Sequence, residues 1–124
     1  MKDKTFNLKE RTYNYALDVI RFLETAPKDY ISQTLGKQLL RSATSIGANI
    51  IEAQGASSRK DFTNFFHHSL KSANESKFWL GLIGDSGNGT QEKARFLHRE
   101  ASELANILAS SLLTMKGKKN RETF

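Results

Sequence analysis

The chain has 124 residues, a net charge of +6 and no cysteine, which bounds it to one domain and excludes disulfide, cysteine–zinc and iron–sulfur frameworks. No apolar run approaches the ~18 residues that suggest a membrane span, and the opening MKDKTFNLKERTYNY lacks the apolar stretch of a secretory signal. A soluble, cytoplasmic protein with no membrane partner is the expectation.

No segment alternates with period two, and four segments carry helical periodicity. The first runs from about Asn7 to Ala26, with Tyr13, Leu17, Ile20 and Leu23 or Glu24 on successive turns, and Pro27 ends it. After a PKDYI linker, Ser32 to Gln54 carries Leu35, Leu39, Ala43, Ile46, Ile50 and Ala53 as an unbroken apolar stripe. Leu40, Gly47 and Ile51 widen that stripe, and Gly47 and Ala48 are small enough to admit a close neighbour. Gly55 is expected to end this helix in a left-handed conformation.

Ser58 with Asp61 three residues on resembles a capping box and predicts a third helix reaching about Gly84. Phe62, Phe66, Ser69, Ala73, Ser76, Leu80 and Ile83 form its stripe, widened by Phe65, Phe78, Trp79 and Leu82. DSGNG (85–89) is a turn. Thr90 is the expected N-cap of a fourth helix whose stripe is Ala94, Leu97, Ala101, Leu104, Leu108, Ser111 and Met115. Short connections make neighbours antiparallel, which predicts an all-α, up-down four-helix bundle over residues 1–115. Residues 116–124 form an expected basic, frayed tail.

Two constellations stand out. Arg41, Ser45, Asn49 and Glu52 fall on one narrow face of the second helix. Folding the second and third helices together about 56–58 sets Arg41 opposite Glu75 and Ser45 opposite Lys71, so an Arg41–Glu75 ion pair is expected. Arg41 and Glu52 are eleven residues apart, about 16 Å along a helix, and cannot pair with each other. Glu52 must find Lys71, another helix or another subunit. Register-holding, a subunit interface and a ligand site are the three uses of such a stripe.

The second constellation is basic. Lys116, Lys118, Lys119 and Arg121 crowd the end of the chain, and Arg59 and Lys60 open the third helix. There the helix dipole already favours phosphate. Lys93, Arg95 and Arg99 form a sparser strip on the fourth helix. These cations suit sequence-independent contact with a nucleic-acid backbone, and equally suit simple solubility.

Enzyme chemistry is not expected. His67, His68 and His98 are preceded three residues earlier by Asn64, Phe65 and Arg95, so the Glu-x-x-His motif of di-iron bundles is missing. Zincin spacing, a phosphate-binding loop and a cysteine nucleophile are missing too. No metal or cofactor is expected.

Two blocks carry a family resemblance. Arg41, Ser42, Ser45, Ile46, Asn49, Glu52 and Ala53 make one, and Lys71, Asn74, Glu75, Ser76, Trp79 and Leu80 make the other. Together with the lysine-rich close they resemble the bacterial four-helix-bundle proteins encoded in intervening sequences of 23S rRNA genes. Ser72 departs from the glutamate common among them. The resemblance implies a left-handed bundle assembling as a homopentamer, without a defined chemistry. A related branch, the accessory protein of diversity-generating retroelements, engages reverse transcriptase and nucleic acid. Binding of RNA or ribonucleoprotein through the basic residues is therefore the leading expectation. A scaffold for a protein partner, such as a reverse transcriptase, is the alternative.

Overall fold

A computed structural model describes residues 8–87 and 90–122, the side chains of 118–122 excepted. It contains four helices: α1 (Leu8–Glu24), α2 (Tyr30–Gln54), α3 (Arg59–Asp85) and α4 (Gln91–Glu122). Each helix lies antiparallel to the next, forming the expected bundle. On α1 and α2, Thr12 meets Gly47 and Leu23 meets Gly36. On α2 and α3, Ser42 meets Ser76 and Ile46 meets Ser69. On α3 and α4, Thr63 meets Met115 and Gly84 meets Ala94.

The helix ends follow local chemistry. Asp29, not Ser32, bounds α2, because its carboxylate accepts from the Ser32 amide at 3.0 Å and from the Ser32 hydroxyl at 2.8 Å. Those bonds, the backbone one first, hold the Asp29 carboxyl below its ordinary pKa. Ser58 caps α3 as expected, its hydroxyl accepting from the Asp61 amide at 3.1 Å. Gly55 does not adopt the left-handed conformation: its φ is −96°. The last turn of α2 instead tightens through bonds from Gly55 to Glu52 and from Ala56 to Ala53. Gly87, at φ 78°, is the described glycine with positive φ. The helical backbone of α4 continues to Glu122, through Gly117 and into the stretch expected as a tail, where no proline interrupts it. Lysines there also suit the negative end of the helix dipole.

The stripes of α2, α3 and α4 form the core: Leu39, Ile46, Leu80, Leu104 and Leu108 are fully buried. The expected inner face of α1 is corrected. Leu8, Thr12, Tyr15, Val19 and Phe22 point inward, while Tyr13 and Ile20 are 66% and 38% exposed. Both stripes recur at helical spacing. Thr12 wins its place because it fits against Gly47, where an added Cβ would lie 3.1 Å from the Thr12 hydroxyl. Phe78, expected in the core, is 59% exposed and packs edge-on against Trp79.

Small side chains dominate where α2, α3 and α4 touch. Ala43, Ala73, Ala94 and Ala101 are fully buried, letting the helix axes approach closely.

Two predictions follow from this packing. Gly47→Leu forces α1 away from α2 and lowers stability by about 1–3 kcal/mol, read as a lower urea midpoint at unchanged slope. Burial, with a smaller push from Glu100 and against the Ser76 hydroxyl, raises the Tyr15 pKa far above its ordinary value. An unfolded chain loses that proton near pH ~10 while the fold retains it, so the contribution is intact below that pH and is lost above it. Urea midpoints compared across alkaline pH should therefore fall more steeply for the natural chain than for Tyr15→Phe.

Candidate nucleic-acid interface

The α3–α4 contact determines where the basic residues meet. The Thr63–Met115 and Gly84–Ala94 contacts share one register. Carried along the two helices, it sets position 60 level with 118 and position 59 level with 119. Arg59 and Lys60 are exposed in the first turn of α3, and Lys116 is exposed on α4. Two basic groups far apart in the chain thus converge on one end of the bundle. The side chains of Lys118, Lys119 and Arg121 lie outside the described residues, but their backbone extends α4 across this end. Asp61, the nearby acid on α3, accepts from the Ser57 hydroxyl at 3.1 Å.

Among the described residues, the expected polar network forms only in part: Ser45 and Asn49 bond, but the expected Arg41–Glu75 pair does not. Arg41, Glu52, Lys71 and Glu75 are all exposed, and among the described residues no ion pair joins Arg41 to Glu75. The pairing of α2 with α3 is close to that expected, but the facing hydroxyls are Ser42 and Ser76, one position further along each helix. One position is about 100° of helix rotation, enough to carry Arg41 and Glu75 from the seam to the solvent. Ser45 and Asn49 are half-buried and bond to each other: the Asn49 amide donates to the Ser45 carbonyl at 2.8 Å and to its hydroxyl at 3.1 Å.

Buried hydroxyls hold the seam. The Ser42 and Ser76 oxygens are 2.9 Å apart, and the Ser69 hydroxyl donates to the Ile46 carbonyl at 2.8 Å. The Tyr15 hydroxyl is buried close to Ser76 without a well-formed hydrogen bond.

The charged cluster that does form escaped the sequence reading. Arg11 Nε donates to Glu100 at 2.8 Å, and Nη2 reaches Glu100 at 3.2 Å and Glu103 at 2.9 Å. The Glu100 bond, assisted by Glu103 and opposed by partial burial, raises the Arg11 pKa. This fork ties α1 to α4, whose direct packing is sparse. The spacing of Glu100 and Glu103 signals a shared face, but nothing local points to Arg11.

The contrast between these charges is measurable. Arg41→Ala and Glu75→Ala should each change stability by less than about 0.5 kcal/mol. Arg11→Ala should cost about 1–2 kcal/mol, with a double-mutant cycle against Glu100→Gln recovering much of it as coupling.

Residues 4–110 match the family described as 23S rRNA-intervening sequence protein. A similar solved structure is a protein of unknown function from the S23 ribosomal protein family of Bacteroides thetaiotaomicron. It is 35% identical, with a TM-score of 0.75, and the alignment covers 85% of this chain and 97% of that one. No curated protein matches the chain.

Proposed function

This chain belongs to the 23S rRNA-intervening sequence protein family, and from that premise we propose a non-enzymatic, cytoplasmic bundle that binds RNA or ribonucleoprotein through its basic end. The observation that carries this reading is the α3–α4 register, which gathers Arg59, Lys60 and Lys116 and continues into the stretch holding Lys118, Lys119 and Arg121. Cations in such an arrangement neutralise backbone phosphates and release condensed counterions, a mode that reads no base sequence. The family's name connects it with 23S rRNA without assigning an activity to the chain.

Homo-oligomerisation belongs to the same proposal, the family resemblance implying five copies. A shallow groove of about 570 Å³ between α1 and α2 is lined by Thr12, Tyr13, Ala16, Gly47, Ala48 and Ile51. Tyr13 and Ile51 are exposed there. In a ring, the basic ends would repeat and weak phosphate contacts would add by avidity. That apolar groove also supports the second reading, a scaffold for a protein partner such as a reverse transcriptase.

Titration of a structured ribosomal RNA fragment at several salt concentrations separates the two. The RNA reading predicts binding that weakens steeply with salt. The slope should drop by roughly 0.7–0.9 for each phosphate contact removed, in Arg59→Gln/Lys60→Gln and in a chain ending at Met115. Absence of binding at physiological salt would leave the protein-scaffold reading.

A further inference from the structure

We propose that the cleft between α1 and α4 around Phe96 is a second nucleic-acid site, one that takes an unpaired base of a single-stranded RNA segment. The proposal rests on the RNA reading above and goes beyond it by naming a different surface and a different kind of contact.

The cleft measures about 270 Å³ and is walled by Asp18, Arg21 and Phe22 of α1 and by Lys93, Phe96 and Leu97 of α4. Phe22 and Leu97 are core residues and form a rigid floor. Phe96 is 55% exposed, although α4 already has a complete inner stripe in Ala94, Leu97, Ala101 and Leu104. Its ring is therefore not needed for the core. It stands among cations: Arg21, Lys93, Arg95 and Arg99 are all exposed, and the Arg99 guanidinium carbon lies 6.0 Å from the ring centroid.

The acids of this surface leave those cations available. Asp18 approaches Arg21 at 3.9 Å, with both groups largely exposed, an arrangement that contributes little in water. Glu100 and Glu103 are drawn to Arg11 further along the cleft. Glu92 remains exposed one turn before Phe96.

An exposed aromatic ring on a rigid floor, flanked by guanidinium and ammonium groups, matches the chemistry of an unpaired nucleotide. The base stacks on the ring, Arg99 supplies a second planar group, this one cationic, and Arg21 and Lys93 meet the flanking phosphates. A duplex hides its base faces and gains only the phosphate contacts. Phe96 lies 23 positions before Lys119 on α4, about 35 Å along the helix. The two sites are therefore physically separate and can be tested separately.

The experiment uses the full chain and a short labelled single-stranded RNA containing 2-aminopurine, with a duplex of equal length as control. The natural chain is compared with Phe96→Ala, Phe96→Tyr and Arg59→Gln/Lys60→Gln, circular dichroism verifying helix content. Expected is a loss of roughly ten-fold or more in single-strand affinity for Phe96→Ala. The salt slope should stay the same, the change in 2-aminopurine fluorescence on binding should disappear, and duplex binding should be nearly unchanged. Phe96→Tyr keeps the ring and should retain both the affinity and the fluorescence change. If Phe96→Ala binds single strands as tightly as the natural chain while the Arg59/Lys60 variant weakens, the Phe96 site is overturned and the basic-end reading stands. Equal losses for single strand and duplex also overturn the stacking role. A natural chain that binds neither RNA overturns both readings.

Discussion

The close approach of α2 and α3 through small buried side chains is the constraint on which the other features depend. Ala43 and Ala73 leave little between the helices, and Ser42, Ser69 and Ser76 reach the seam without the bulk that would separate them. Each hydroxyl bond contributes only about 1 kcal/mol net, but a shift along the seam would strand buried oxygens at a cost of about 1–3 kcal/mol each. The hydroxyls therefore determine register more than they add stability. Gly84 against Ala94 continues the same logic between α3 and α4.

Register then decides charge. With α3 placed on α4, the first turn of α3 lies beside the last turns of α4, and cations separated by more than fifty positions in the chain come to one end. The charged residues of the α2–α3 face stay in water, where they cost nothing to solvate. The seam holds neutral hydroxyls, and a charged tie, Arg11 to Glu100 and Glu103, sits where α1 meets α4 with sparse packing of its own. Polar chemistry among the described residues thus falls into three kinds: hydroxyls at the α2–α3 seam, a guanidinium fork between α1 and α4, and exposed cations at the end where α3 begins.

Much of the fold was legible. The stripes of α2, α3 and α4 each offer one continuous apolar face, and Ser69 and Ser76 already stand in the α3 stripe. The α1 face was not legible, because Tyr13, Leu17 and Ile20 compete with Leu8, Tyr15, Val19 and Phe22, and only the fit of Thr12 on Gly47 decides between them. The hairpin placed Arg41 and Glu75 at nearly the correct height, yet a rotation of about 100° per residue made a small register error a complete change of surroundings. Arg11 with Glu100 joins the first helix to the last, beyond the reach of any local pattern. The basic residues could be named from composition along the chain, but their convergence depends on α3–α4 packing.

The central claim is that RNA contacts the end of the bundle where α3 begins and α4 finishes. Lysine footprinting by acetylation and mass spectrometry, with and without saturating structured RNA, tests it residue by residue. The account predicts protection at Lys60, Lys116, Lys118 and Lys119, with Lys37, Lys71 and Lys77 modified equally in both samples. Protection centred on Lys37, Lys71 and Lys77, with the lysines at 60 and 116–119 unchanged, would contradict it.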